Sequence, residues 1–246
     1  MYEKWKGVHT RCAFNMIQEL IPLTRPRTLA AALGPTILGA AFSYYAFGAA
    51  QGTGLAIFHT VLIFLAVVTA QIVANLWNEY KDFKSGLDAG QKVGNAGSIT
   101  RGVITPELII TMIKVLMFVP IIIGLYLSAT ITWYYIPVGF LCILISFLYS
   151  GGPKPISRTP FGEISSGIAM GFTIVLITGY AWIRELSLAL LIPAIPSTLL
   201  VGSIMLTNNI RDIRNDESHG RHTLPIVLGR ERALSLMSIS YIFNFI

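Results

Sequence analysis

Cysteine and charge are both scarce in this chain of 246 residues. Its two cysteines, Cys12 and Cys142, fall in different surroundings at no metal or redox spacing. That excludes a disulfide framework, a cysteine zinc site and CxxC redox chemistry, and leaves two free thiols. Only 12% of residues are charged, roughly half the share usual in soluble domains, so no soluble domain can be drawn from the sequence. A Gly-x4-Gly-Lys-Ser/Thr run is missing, which excludes a P-loop, and no acidic stretch has the ligand spacing of an EF-hand. Histidine is sparse too. His219 and His222 flank Arg221 without a third ligand that would make a zinc site, and His9 and His59 carry no signal.

What fills the chain is apolar residue, 54% of the total, arranged in runs that approach or exceed the ~20 residues needed to cross a ~30 Å hydrocarbon core. Spans are expected near 28–50, 55–77, 107–127, 133–150, 164–183 and 187–207, with a seventh beginning near 233. The sixth contains Pro193 and Pro196, which neighbouring helices accommodate within a bundle. Several spans are rich in Gly, Ala and Ser, which lets helices approach closely in lipid. The expected fold is therefore all-α, a polytopic transmembrane helical bundle forming one membrane domain across 1–246. From Ala233 to Ile246 only 14 residues remain, ~21 Å of helix, with no polar anchor after them. That ending reads as a chain interrupted within its seventh span.

Charge placement orients the bundle. In this topology 16 of the 18 Lys and Arg residues lie on one side: five before the first span, four in 78–106, two in 151–163 and five in 208–232. Arg184 lies opposite, and Lys114 sits two turns inside its span, close enough to snorkel to the surface. By the positive-inside rule the basic side is cytoplasmic in a plasma-membrane protein. The same bias accounts for the net charge of +6 without nucleic-acid binding. The amino terminus opens with charges and an amphipathic stretch, 12–23, rather than the short apolar core of a cleavable signal peptide, and suits the membrane interface.

Both long connections on that side carry acids. Asn75, Asn78 and Asp82 follow one another at offsets of 0, 3 and 7 residues, with Asp88 just beyond; Asn209, Asp212 and Asp216 repeat the same offsets. Such spacing falls on one face of a 3.6-residue helix, so each motif projects a stripe of oxygen ligands in one direction. Carboxylates and amide carbonyls are hard ligands suited to Mg²⁺ that also carries substrate phosphate. Gly86 and the glycines at 90, 94 and 97 imply that the first motif helix ends and the chain curls back, returning Asp88 toward the same ion. Arg211, Arg214 and Arg221 intersperse the positive charge that diphosphate binding needs. One solvated acidic loop would be unremarkable; two with the same spacing on the same side point to one shared site.

The strings Asn78-Glu-Tyr-Lys-Asp-Phe-Lys-Ser-Gly-Leu-Asp88 and Asn208-Asn-Ile-Arg-Asp-Ile-Arg-Asn-Asp216 resemble the UbiA superfamily of intramembrane aromatic prenyltransferases. Within it, they resemble most the branch that prenylates 1,4-dihydroxy-2-naphthoate in menaquinone synthesis. Arg25-Pro-Arg-Thr28, Tyr149-Ser-Gly-Gly-Pro153, Gly220-Arg-His-Thr-Leu-Pro225 and Leu228-Gly-Arg230 extend the likeness across nearly the whole chain. Where the broad family pattern has a second Asp in the first motif, this chain has Gly86, and Asp88 is the nearest carboxylate. The family has nine transmembrane helices, two beyond the last begun here.

The resemblance implies that Asp82, Asp88, Asp212 and Asp216, with Asn78 and Asn209, hold Mg²⁺ on a polyprenyl diphosphate. Lys84, Arg221, Arg158 and Arg101 are then candidates to contact the diphosphate, and an aromatic acceptor attacks the allylic carbon. In the naphthoate branch the acceptor carboxyl leaves as CO₂, giving demethylmenaquinone. Trp77, Tyr80, Phe83 and Tyr149 offer π faces near the expected chamber, although Trp and Tyr equally anchor helices at the interface. Other acceptors, such as 4-hydroxybenzoate, suit the same pattern. So does an assembly partner without activity. A transporter fits less well, because its acids usually sit near the midplane and no span here has Asp or Glu near its centre.

Overall fold

The computed structural model describes residues 20–86, 98–100, 102 and 104–244. Among these residues all the regular structure is helical, with no β-strand. Six main helices follow in order: α1 (Ala30–Phe47), α2 (Thr53–Ser85), α3 (Pro106–Thr130), α4 (Tyr135–Ser150), α5 (Gly162–Ile183) and α6 (Leu191–Ser218). A short helix α7 (Leu224–Leu228) and α8 (Arg230–Phe243) come last. Five of the helices are long and apolar enough to cross a membrane. The span expected at 133–150 is the exception. α4 has only 16 residues, ~24 Å, because Trp133 and Tyr134 form the turn before it.

Helix length places the motifs. α2 has 33 residues and α6 has 28, or ~50 Å and ~42 Å at 1.5 Å per residue, against a ~30 Å hydrocarbon core. Both therefore run beyond their apolar stretches as continuous helix. The expected connections 78–106 and 208–232 are thus partly helical. Asp82 lies on the final turn of α2 before Gly86 ends it, and Asp216 lies in the last turn of α6.

α2 and α3 pack antiparallel. At the motif end Val73 and Leu76 of α2 meet Ile109 and Ile113 of α3, with Leu23, Ile99 and Ile104 closing the cluster. Thr105 caps α3 by accepting from the Leu108 N–H at 3.2 Å, with Pro106 in the first turn, a helix start that sequence chemistry favours. The far end is closed by Ile63, Leu127, Tyr135 and Ala181. There Arg184 donates to the Thr130 carbonyl and to the Gln51 side chain, tying three connections together. On the outer face of α3, Val115, Phe118, Ile122 and Leu125 form one stripe and are 56–63% exposed. A continuous stripe of that kind suits a lipid-facing surface.

Glycine sets the α5–α6 crossing. A Cβ at Gly171 would lie 2.6 Å from the Ser197 carbonyl oxygen and from the Thr198 Cα, and one at Gly167 would lie 2.7 Å from the Thr198 carbonyl oxygen. The two backbones touch here, as small residues permit in membrane bundles. Over the same stretch, Gly167–Phe172, α5 widens into a π turn. Gly171→Leu is expected to force the helices apart and cost about 3 kcal/mol, read as a lower unfolding temperature in detergent. An unchanged temperature would show that the two helices are free to separate.

Candidate active site

The two acidic motifs meet at one end of the bundle. Arg221 lies between them: its Nη2 is 3.4 Å from Asp82 Oδ1 on α2, and its Nη1 is 3.2 Å from Asp216 Oδ1 on α6. Local chain geometry puts it there. α6 ends at Ser218, the Gly220 N–H bonds the Glu217 carbonyl at 3.1 Å, and the Arg221 N–H returns to the Asp216 carbonyl at 3.0 Å. This is a Schellman ending, and it needs the left-handed φ of +66° that Gly220 adopts. The reversal folds Arg221 back over the helix it has just left. The His222 N–H then bonds the Arg158 carbonyl at 2.9 Å, anchoring the turn to the 151–161 connection.

Each residue of the first motif has a different neighbour. Asn75 donates to the Thr24 carbonyl at 3.0 Å. One turn earlier, Gln71 donates to the Thr28 carbonyl at 2.7 Å and to its hydroxyl at 3.2 Å. These bonds clamp the segment holding Arg25-Pro-Arg-Thr28 against α2. Asn78 Oδ1 accepts from the Ser150 hydroxyl at 3.0 Å and keeps a second lone pair. Asp82 reaches Arg221, in the turn that follows the other motif. Asp88 and Arg101 lie outside the described residues.

In the second motif, Asp216 is 2% exposed. Its Oδ1 takes the Arg221 bond, while among the described residues its buried Oδ2 has no partner. Asp212 sits nearer solvent and is gripped by its neighbour Arg211 through both oxygens, at 2.9 and 2.7 Å. Asn209 donates its Nδ2 to Glu163 Oε1 at 2.8 Å, which leaves its carbonyl oxygen for another partner. Glu163, at the start of α5, is 4% exposed, and its Oε2 also lacks a partner among the described residues. Motif spacing gave no hint of this residue. Its one signal in the sequence was an isolated acid opening an otherwise uncharged apolar span. The Tyr149 hydroxyl lies over Gly162, beside Glu163, 3.5 Å from where a Cβ would stand.

The other candidates are placed as follows. Lys84 is exposed, with its ammonium 5.5 Å from the Tyr80 ring centre, and Lys81 stands 5.2 Å from the Trp77 ring, so both cover aromatic faces one helical turn back. Trp77 donates to the Phe147 carbonyl at 3.0 Å and packs edge-on against the Phe147 ring. It ties α2 to α4 and belongs to the apolar cluster at this end. Arg158 contributes its carbonyl to the Arg221 turn rather than its guanidinium. Lys114 is exposed on α3.

Among the described residues no three His, Cys, Asp or Glu side chains converge as a ready-made metal cage. The donor set nonetheless fits Mg²⁺, which is commonly bound by one or two carboxylates together with substrate phosphates. Asp82 and Asp216 supply one carboxylate from each motif. The bare Oδ2 of Asp216 is a buried anionic oxygen that a cation would satisfy.

Comparison with known proteins agrees with this architecture. The 1,4-dihydroxy-2-naphthoate octaprenyltransferase of Bacillus subtilis is 38% identical over 239 residues, covering 94% of this chain and 73% of that protein. The protein of the same name from Escherichia coli is 30% identical over 234 residues, covering 91% and 73%. A UbiA homologue from Archaeoglobus fulgidus, solved with GPP and Mg²⁺, superposes with a TM-score of 0.65 over 92% of this chain and 75% of its own, at 18% identity. One from Aeropyrum pernix, solved without ligand, gives 0.65 over 90% and 78% at 20% identity. Those two likenesses are of fold. Residues 32–246 match the UbiA prenyltransferase family, and with relatives this similar over most of its length the chain belongs to that family.

Proposed function

We propose that this prenyltransferase moves a polyprenyl group from polyprenyl diphosphate to 1,4-dihydroxy-2-naphthoate, with loss of CO₂, giving the hydroquinone form of demethylmenaquinone. The observation that carries the reading is the meeting of Asp82 and Asp216 over Arg221, at one end of an apolar bundle. The named relatives support the acceptor, and the excess of Lys and Arg at the motif end supports a cytoplasmic site.

Asp82, Asp216 and Asp212, with the carbonyl oxygens of Asn78 and Asn209, would hold Mg²⁺ on the diphosphate. Bound there, the metal would neutralise charge on the departing diphosphate. Arg221 adds a cation aimed at the same place, and its planar fork suits two phosphate oxygens as well as it suits two carboxylates. Neutral Asn at two ligand positions limits repulsion of the incoming phosphates. The C–O bond of the allylic carbon breaks and its electron pair leaves with the diphosphate. The ring carbon bearing the acceptor carboxylate forms the new C–C bond. Release of CO₂ then returns an electron pair to the ring and restores aromaticity. Apolar walls keep water from the allylic cation, and the prenyl tail needs no polar recognition.

The test is transfer by detergent-purified protein supplied with Mg²⁺, a polyprenyl diphosphate and either 1,4-dihydroxy-2-naphthoate or 4-hydroxybenzoate, followed by mass. Mg²⁺-dependent prenylated naphthol lacking the carboxyl mass, lost in Asp82→Ala and Asp212→Ala, is expected. Product from 4-hydroxybenzoate alone would overturn the acceptor. No diphosphate release from any pairing would overturn the reaction.

A further inference from the structure

Glu163 is a buried acid that the proposed reaction does not use. It sits 4% exposed at the start of α5, and among the described residues no Lys, Arg or His forms an ion pair with it. An unpaired buried carboxylate costs several kcal/mol. Its side-chain partner is the Asn209 amide, 2.8 Å from Oε1. A glutamine would fit the same volume at lower cost, so the acid must do something that an amide does not.

The difference lies in direction. A carboxylate oxygen only accepts hydrogen bonds, whereas a glutamine amide offers one accepting and one donating end. Facing a carboxylate, Asn209 can present only its NH₂, and its carbonyl oxygen is forced to the other side. Facing a glutamine, Asn209 can turn over and present its NH₂ where a cation should bind. The scaffold that holds the pair is stiff. Glu163, Gly167 and Gly171 follow at four-residue steps on one face of α5, and the glycines bring that face onto the backbone of α6.

We infer that Glu163 is a positioning residue for this reaction: it orients Asn209 so that the asparagine's carbonyl oxygen, and not its nitrogen, is offered to the metal. The inference rests on the proposed metal–diphosphate site. It makes Glu163 the outer partner of an inner ligand, a class of contact worth about 10–100-fold in metal affinity.

The experiment uses the whole chain in detergent and reads Mn²⁺ binding by electron paramagnetic resonance in the presence of inorganic pyrophosphate. The half-saturating Mg²⁺ in the transfer assay is read beside it. E163Q is expected to weaken Mn²⁺ binding about tenfold and to raise half-saturating Mg²⁺ equally, with KM for the naphthoate unchanged. N209D alone sets two carboxylates against each other and should bind poorly. The double variant E163Q/N209D reverses the hydrogen bond: the amide introduced on α5 donates to the carboxylate introduced on α6, which keeps one oxygen for the metal. It should bind Mn²⁺ more tightly than either single variant, a rescue that a merely structural role does not give.

Unchanged Mn²⁺ affinity in E163Q, or no rescue in the double variant, would overturn the inference. So would a lower kcat at unchanged metal affinity, which is the pattern of a base acting on the acceptor. If E163Q does not purify as monodisperse protein, the double variant is compared with wild type directly, and affinity more than about tenfold below wild type overturns the inference. Wild type that fails to bind Mn²⁺ with pyrophosphate marks the failure of the metal site itself.

Discussion

Asp82→Ala and Asp216→Asn are each expected to lower prenyl transfer by roughly 10²–10³-fold, the usual effect of removing one group that stabilises transition-state charge. Their effects on the ligand-free fold should differ. Asp82 is the more weakly held partner of Arg221, at 3.4 Å, and Arg221 keeps Asp216 when Asp82 is gone, so Asp82→Ala should not raise the unfolding temperature. Asp216 is another matter. It is 2% exposed with a bare Oδ2, a charge held in place without enough partners. Asparagine has nearly the same shape, can still accept from Arg221, and removes the buried charge. The unfolding temperature of Asp216→Asn without ligand should therefore rise while activity falls, as happens where a site stores strain for function. With Mg²⁺ and pyrophosphate the order should reverse, because only the wild type gains from binding. A variant both inactive and less stable without ligand would mean that Asp216 is structural.

Much of this site was legible because helical periodicity is a local property. Offsets of 0, 3 and 7 place Asn209, Asp212 and Asp216 on one stripe whatever surrounds them. The end of α2 at Gly86 and the exposure of Lys114 follow from equally local rules. The turn that returns Arg221 is local too. Gly220 after a helix ending in Glu217-Ser218 is a signal for a left-handed cap, although its consequence, a guanidinium bridging two motifs, needs both helices in place.

The partners of the stripe were not legible. Asn75, Asn78 and Asp82 share a face yet meet Thr24, Ser150 and Arg221 in turn, because the neighbours of a helix change along its length. Glu163 meets Asn209 across 46 residues, and nothing in either segment announces the other. Trp77 shows the same limit. As a single residue it suited the interface or the chamber, and only the arrival of α4 turned it into a core contact. Hydropathy alone does not show how far the motif helices run; the glycines at 86 and 220 do. Hydropathy reports where a helix leaves apolar surroundings, not where its hydrogen bonding stops.

Arg221→Ala should be the most revealing variant, because two effects of opposite sign follow from one side chain. Without ligand, Arg221 is the cation beside the buried Asp216 and it also faces Asp82. Removing one partner of a buried pair is costly, about 3 kcal/mol here, at the low end because the guanidinium keeps some solvent contact. The ligand-free protein should melt earlier. In the proposed site, however, Mg²⁺ would compete with Arg221 for the same carboxylates. With the guanidinium gone, the two acids are left to attract a metal, so Mn²⁺ or Mg²⁺ alone should bind more tightly to Arg221→Ala than to wild type. The metal should also recover most of the lost stability. Turnover should still fall by roughly 10²-fold, because the cation that would follow the diphosphate is missing. Arg221→Lys should restore stability better than activity, since an ammonium supplies charge without the planar fork that spans two oxygens. If metal alone binds Arg221→Ala no better than wild type, Arg221 does not stand where the metal goes, and the two motifs do not share one site.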